Sequence, residues 1–195
     1  MPGAVTTDEI YQRYLDKAIR EINRLHHEIA EAAAGGVAAQ PTGHPLANIF
    51  LLKYGPQAQE LQEGIAFHGR AGHALIKSLG RLRVDASEVY GTNCLKFAAA
   101  DEEQSRAWLR RELRIVQPKL LVVMGEDALE FLNGVGFPLS TAIESKLGEL
   151  QRFTPTIEAL AVPDIDLALD EAPAKTAFWN AFKAVGPWWA ALPPY

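Results

Sequence analysis

The sequence has 195 residues, 48% hydrophobic and 22% charged, which is typical of one globular domain with a core of ordinary size. A net charge of −5 argues against a general nucleic-acid coat protein. The sequence shows neither a transmembrane run nor a secretory signal pattern, so we expect no membrane contact and a cytoplasmic location. The single cysteine, Cys94, leaves no internal disulfide and argues against a cysteine-held cluster, so we expect no metal and no cofactor.

The first predicted element is a long amphipathic helix that ends near residue 34. Thr6 and Glu9 have the spacing of a capping box, and Gly35-Gly36 is a typical helix end. Between them, apolar residues recur every three or four positions, which indicates one buried stripe. The stripe consists of Tyr11, Leu15, Ile19, Ile22, Leu25 and Ile29.

The remaining pattern alternates strands with helices. We predict strands over 47–52, 89–93, 120–124, 148–153 and 157–162, and helices over 70–82, 101–116, 126–133 and 173–185. This alternation predicts an α/β fold of three layers, α/β/α, around a central, mainly parallel, four-stranded sheet. We expect one domain over 1–195, with an N-terminal helix (1–34), a core (35–185) and a C-terminal tail (186–195).

The carboxyl ends of the parallel strands predict where a ligand binds, because open α/β sheets place their sites at that edge. Four segments are expected to meet there, and the loop 67–72 can reach the same mouth. The four segments are Lys53–Gln57, Asn93–Phe97, Gly125–Asp127 and Val162–Asp166.

Basic residues cluster in two stretches, although the chain as a whole is acidic. Residues 1–119 carry 15 Lys/Arg and 14 Asp/Glu, whereas residues 120–195 carry 4 and 10. The first stretch lies between Ile65 and Val84 and includes Arg70, Lys77 and Arg81, and the second runs from Arg106 to Lys119. Clusters of this kind bind phosphates, but they are also common as solvated helix faces, and both interpretations remain open.

Several motifs occur together between residues 55 and 93. They are Gly55-Pro56, Gly64, Phe67, Gly69-Arg70-Ala71-Gly72 and Thr92-Asn93. In these motifs, which align without a gap, the sequence resembles the uracil-DNA glycosylase superfamily, and within it the iron–sulfur, thermophile-type branch (family four). The resemblance covers roughly residues 45–185.

The resemblance implies a site that holds a base flipped out of DNA. It implies that Phe67 stacks on the base, that Asn93 reads its Watson–Crick edge, and that Gly55 and Pro56 also contribute to base binding. It implies DNA, single- or double-stranded, as the partner, with Arg70, Lys77 and Arg81 as candidate contacts to DNA phosphates.

The sequence departs from the family where the chemistry is expected. Tyr54 stands at the position of the family's acid, and a phenol with a pKa near 10 is a poor base at neutral pH. Val162 stands at the position of the catalytic histidine, and Phe97 and Ser105 replace cluster cysteines. Lys53 and Gln57 replace two flexible glycines. The resemblance therefore implies the fold more firmly than the activity.

Other residues could take over the catalytic roles. His68 beside Phe67 is a candidate base, with Asp164 or Asp166 as its partner, although the pattern favours a polar surface or phosphate-facing role for His68. With Tyr54, His68 and Asp164 are the candidate catalytic residues. His68 and His73 are five positions apart, which misses the spacing of a helical metal pair.

Three hypotheses follow from these observations. The chain binds or processes DNA bases as a glycosylase, with weak or absent uracil excision, or it keeps the fold as a non-catalytic module that binds DNA or a protein. The third hypothesis is an unrelated α/β nucleotide-binding protein, which the gapless spacing disfavours. Whether the chain is an enzyme stays open; if it is active, we expect a DNA glycosylase.

Overall fold

The computed structural model describes residues 6–194, whose strands form one six-stranded sheet. The strands are β1 (Thr42–Gly43), β2 (Ile49–Lys53), β3 (Val89–Asn93), β4 (Leu120–Met124), β5 (Leu150–Thr154) and β6 (Ile157–Val162). Their order in the sheet is β1-β3-β2-β4-β6-β5. The helices are α1 (Thr7–Ala32), α2 (Ala58–Glu63), α3 (Arg70–Arg81), α4 (Glu102–Val116), α5 (Glu126–Asn133), α6 (Ile165–Ala168), α7 (Ala172–Phe182) and α8 (Val185–Ala190).

The centre of the sheet is parallel, which confirms the predicted α/β class. Strand β2 pairs in parallel with β3 and β4, and β4 pairs in parallel with β6. Every residue of β2 and β4 is buried, because helices cover both faces of the sheet.

The sheet is wider than the four strands predicted, because a short antiparallel strand lies at each edge. Strand β5 pairs antiparallel with β6, since only Pro155 and Thr156 connect them and a parallel pair needs a long crossover. Strand β1 has two residues and pairs antiparallel with β3. A strand of two residues is too short to show the alternation of apolar and polar side chains by which strands are predicted, so β1 was not predicted.

Helix α1 begins at the predicted capping box. The Glu9 amide donates to Thr6 Oγ1 at 3.2 Å, and the Thr6 amide donates to Glu9 Oε2 at 2.9 Å. Only the second half of the predicted apolar stripe is buried, and Tyr11 and Ile19 are exposed. Helix α1 has 26 residues, whereas α4, the helix on which it packs, has 15. Helix α4 is therefore too short to cover the whole apolar stripe of α1.

Alternation along β2 decides which side chains point toward the site. Phe50 and Leu52 pack in the core under α4 and α5, whereas Ile49 and Leu51 pack in the core under α3 and α7. Because side chains alternate along a strand, Lys53 lies on the same face as Ile49 and Leu51. A charged residue therefore ends a strand on a buried face.

Two short helices and the tail add structure that periodicity did not predict. Helices α2 and α6 lie in segments that were predicted as loop or strand end, and both are too short to show a helical period. Part of the tail is helical: Trp188 of α8 is buried, and its indole donates to Glu158 at 2.7 Å. Among residues 6–194, no helix is long and apolar enough to cross a membrane.

Candidate functional site

A cavity of about 360 Å³ opens at the carboxyl edge of the sheet. Three of the four segments predicted to meet at this edge line the cavity: Tyr54 after β2, Gly125–Asp127 after β4 and Val162–Asp164 after β6. The fourth segment, 93–97 after β3, does not contribute to the lining, and neither does the loop 67–72 that was expected to reach this mouth. The cavity therefore lies where open parallel sheets place their ligands.

Tyr54 is half-buried at this mouth. Its ring meets Phe131 edge-on, with centroids 6.4 Å apart. Burial raises the pKa of the Tyr54 phenol, and the carboxylates of Glu102 and Asp127 raise the pKa further. The phenol therefore stays neutral at physiological pH and supplies neither a carboxylate base nor a negative charge.

Asp164 lies two residues after the last parallel strand and caps the short helix α6. Its Oδ1 accepts hydrogen bonds from the amides of Asp166 at 2.8 Å and Leu167 at 3.4 Å. Burial raises the pKa of the Asp164 carboxyl despite these hydrogen bonds. Val162, two residues earlier, is buried and apolar, so the strand end presents an acid and no imidazole.

Acidic side chains surround the mouth. Glu126, Asp127 and Asp164 line the cavity, and no Lys, Arg or His among residues 6–194 lines it. Glu130 also contributes to the raised pKa of Tyr54. A phosphate that approached this cavity would therefore meet charges of its own sign.

Phe67 lies on the α3 side of the sheet, next to β3. Its backbone adopts a left-handed conformation, with φ of 62°. Its ring packs directly on Gly91, where a Cβ atom would come within 2.8 Å of the ring. Glycine at position 91 is therefore required by the aromatic side chain that lies against it.

Asn93 is fully buried and shares one carboxylate with Phe67. Glu60 Oε1 accepts a hydrogen bond from the Phe67 amide at 2.6 Å and another from Asn93 Nδ2 at 3.2 Å. Asn93 Oδ1 is buried without a hydrogen-bond partner within residues 6–194. The two residues predicted to bind a base therefore meet around Glu60, and one amide acceptor remains unsatisfied there.

Lys53 fills the space beside these residues. Its ammonium group donates to Glu60 Oε2 at 2.5 Å, to Asp166 Oδ2 at 2.9 Å and to the Gly55 carbonyl at 3.0 Å. The ammonium lies 5.6 Å from the centroid of the Phe67 ring. A buried ammonium with three acceptors has all its donors satisfied, so this network is complete.

The other predicted site residues lie around this network. Gly55 and Pro56 follow β2 and are half-buried. His68 is exposed and, with Gln57 and Asp166, lines a second cavity of about 260 Å³. No hydrogen bond or ion pair within the described part of the chain joins His68 to Asp164 or Asp166.

The three candidate phosphate contacts differ in the interactions that their side chains already make. Arg70 pairs with Asp170 at 3.0 Å and donates to the Leu169 carbonyl, and the Arg81 guanidinium lies 5.1 Å from the Trp179 ring. Lys77 is exposed on α3, without an ion pair among the described residues. Arg70 is therefore the one of the three whose ion pair a phosphate would have to compete with, whereas the Arg81 guanidinium keeps its in-plane N–H donors while stacked on Trp179.

Comparison with known proteins gives a match over most of the chain. The sequence model of the uracil DNA glycosylase superfamily matches residues 40–183. The chain belongs to this superfamily. It is also similar to the type-4 uracil-DNA glycosylase of Archaeoglobus fulgidus, with 24% identity over 187 residues that cover 88% of this chain and 92% of the relative.

Membership of the uracil-DNA glycosylase superfamily confirms the resemblance predicted from Gly55-Pro56, Phe67, the Gly69–Gly72 motif and Asn93. The hypothesis of an unrelated nucleotide-binding protein is therefore wrong. The match shows the family and its fold, whereas the roles of individual residues stay predictions.

The positions that the resemblance assigns to cluster cysteines contribute to the core. Phe97 packs against Trp108, with ring centroids 6.2 Å apart, and Ser105 is fully buried. Trp108 in turn belongs to a small apolar cluster with Leu25 and Ile29 of α1. Side-chain packing therefore holds α1, α4 and the end of β3 together.

We expect the purified protein to be colourless and folded without iron. Cys94 is buried, and burial raises the pKa of its thiol, so it is a poor metal ligand. Visible absorption and iron analysis of protein purified without added metal check this prediction. A brown protein with a charge-transfer band and stoichiometric iron would contradict it.

Sequence reasoning noted Lys53, Gln57 and Asp166 but did not predict the network that joins them, and it missed Glu60. One signal was available, because a lysine that directly follows the buried run IFLL needs an opposite charge close by. The partners could not be deduced, since Asp166 lies 113 residues further along the chain.

Proposed function

We propose that this chain is a DNA-recognising member of the uracil-DNA glycosylase superfamily that does not excise uracil by a carboxylate-and-histidine mechanism. Tyr54 carries the proposal, because a neutral phenol occupies the position that the resemblance assigns to the family's acid. DNA as the ligand is supported by the superfamily match and by the similarity to an enzyme named for uracil in DNA.

The chemistry of base excision explains why Tyr54 matters. Cleavage of the bond between base and sugar develops positive charge on the sugar and negative charge on the leaving base. An anion stabilises the first charge, and a hydrogen-bond donor or cation stabilises the second. Tyr54 offers no anion, and the side chain of Val162 offers no donor.

Phe67 and Asn93 are the residues that we propose line the base pocket of the superfamily in this chain. An aromatic ring stacks on any base, and an amide pairs with a base edge that offers both a donor and an acceptor. Their meeting around Glu60 supports one shared site, and the unpartnered Oδ1 of Asn93 supports a hydrogen bond that is still to be made.

The acidic mouth favours one alternative, a non-catalytic module that binds a protein. Glu126, Asp127 and Asp164 line the main cavity, and this lining suits a partner that presents Lys or Arg side chains. Under this alternative the fold is retained and nucleic acid is not bound.

Incubation with oligonucleotides containing uracil, hypoxanthine or xanthine tests the proposal. Single- and double-stranded forms are each scored for binding by fluorescence anisotropy and for abasic sites by alkaline cleavage. Binding without abasic sites in the uracil substrates is the expected result. Failure to bind any oligonucleotide at low salt favours the protein-partner alternative, and rapid uracil excision contradicts the proposal.

If α3 contacts phosphates, DNA affinity falls steeply with salt, and removing one cation lowers the slope of log K against log salt by about 1. We expect Lys77→Ala to show this effect. Arg70→Ala should show less, because Arg70 already pairs with Asp170. Anisotropy titrations at several salt concentrations measure the slopes.

Arg13→Ala is the matched control for this experiment, since Arg13 is an exposed cation on α1. An equal change of slope in Arg13→Ala and Lys77→Ala would mean that general charge, and not α3, sets the salt dependence.

A further inference from the structure

We propose that Lys53 is an internal occupant of the base pocket, whose side chain keeps a flipped base out of the space between Phe67 and Asn93. This inference rests on the proposed role of those two residues. It adds a specificity determinant to the site, because one side chain of this protein takes the place of a ligand.

The backbone register places Lys53 in that space. Lys53 lies directly opposite Asn93 in the parallel pair of β2 and β3. Directly paired residues of neighbouring strands project their side chains to the same face. The Lys53 stem therefore starts beside the amide that would read a base.

The position of the ammonium excludes a stacked base. It lies 5.6 Å from the centroid of the Phe67 ring, and atoms in van der Waals contact are about 3.5–4.0 Å apart. A base stacked on the ring face toward Lys53 would need the volume that the end of the Lys53 side chain occupies. Phe67 also lines a cavity of about 300 Å³ beside Gly91, but Asn93 does not line that cavity, so a base there would not meet the amide.

The surroundings hold Lys53 in place. Its side chain is 1% exposed, and the carboxylates of Glu60 and Asp166 both accept from its ammonium. Glu60 is itself fixed by hydrogen bonds from the amides of Gln57 and Phe67. Displacing Lys53 would leave the buried Glu60 and the half-buried Asp166 without a counter-ion, so a neutral base cannot do so by itself.

Removal of the Lys53 side chain should therefore open a pocket. Glu60 and Asp166 also line the cavity of about 260 Å³ that includes His68, so the new space would adjoin an existing one. Within it, Asn93 Oδ1 is an unsatisfied acceptor, and Phe67 is an aromatic surface. These are the groups that a pyrimidine base would use.

The test measures binding of free uracil to the full chain with Lys53→Gly, by equilibrium dialysis or ligand-observed NMR. We expect the variant to bind uracil at least about tenfold more tightly than the unmodified protein. Addition of Asn93→Ala to the variant should abolish that gain. Because the ligand is a free base, this result does not depend on whether the protein binds DNA.

A second measurement shows whether the pocket of the variant is intact. The n-butylammonium ion reproduces the deleted side chain, so it should raise the melting temperature of Lys53→Gly but not that of the unmodified protein. Tetramethylammonium chloride at the same concentration is the control, because it cannot donate hydrogen bonds to Glu60 and Asp166.

If Lys53→Gly does not fold, Lys53→Gly with Asp166→Asn removes one of the two carboxylates left without a counter-ion and is tested in the same way. A folded variant that binds no uracil overturns the proposal. So does equal uracil binding by the unmodified protein. Failure of both variants to fold with n-butylammonium present also overturns it, since Lys53 would then be a structural support without a pocket beneath it.

Discussion

The unmodified protein is expected to leave uracil-containing oligonucleotides intact, and the triple variant Lys53→Gly, Tyr54→Glu, Val162→His is expected to excise uracil measurably. Each of the two introduced catalytic groups is typically worth about a hundredfold or more in rate. Together they should separate the triple variant from the unmodified chain by about 10⁴-fold. Single-turnover assays with excess protein, scored as abasic sites, measure this difference.

Matched variants separate the contributions to that gain. Lys53→Gly alone should bind uracil without excising it, because Tyr54 stays neutral. Tyr54→Gln with Lys53→Gly and Val162→His keeps a polar side chain but no charge, so it should lose most of the gain. A rate equal to that of Tyr54→Glu would show that charge at position 54 does not assist the reaction.

Robust excision by the unmodified chain would contradict the assignment of chemistry to these positions. His68→Ala and Asp164→Ala would then identify the residue that has taken over. His68 is exposed and Asp164 is half-buried at the mouth. Loss of activity in only one of the two variants would be decisive.

Lys96→Met is expected to destabilise the fold by about 3–5 kcal/mol, because it leaves a buried charge without its partner. Lys96 and Glu112 are both fully buried, and Lys96 Nζ lies 2.6 Å from Glu112 Oε2. Tyr90 donates to the other Glu112 oxygen at 2.9 Å. The network connects β3 to α4 on the face of the sheet opposite Lys53.

Thermal unfolding measures this loss. For a chain of this length the melting temperature should fall by roughly 6–20 °C. Lys146→Ala is the control, because Lys146 and Glu144 form an exposed pair whose loss should leave the melting temperature nearly unchanged. Equal effects in the two variants would show that water reaches Lys96 and Glu112 in solution.

A double substitution tests the cause of this destabilisation. Lys96→Met with Glu112→Leu removes both charges and should recover much of the stability lost in Lys96→Met. Tyr90→Phe in the same background removes the hydroxyl left without an acceptor. If the double variant is no more stable than Lys96→Met, packing and not charge accounts for the loss.

Local pattern was sufficient for every strand except β1, for most of the helices and for the family. Buried strands such as β4 show as unbroken apolar runs, and the capping box of α1 shows as a fixed spacing. These features depend on residues close together in the chain, so the sequence alone predicts them. The same holds for the mouth, because the carboxyl ends of parallel strands share one edge.

The sequence by itself determined the α/β class, the superfamily and the absence of the family's catalytic acid, catalytic histidine and cluster cysteines. Only the tertiary structure decided what stands in their place. Lys53 meets Asp166 across 113 residues, and Arg70 is held by Asp170 across 100. Which buried charge pairs with which depends on how loops from opposite ends of the chain pack together, and no local period encodes that contact.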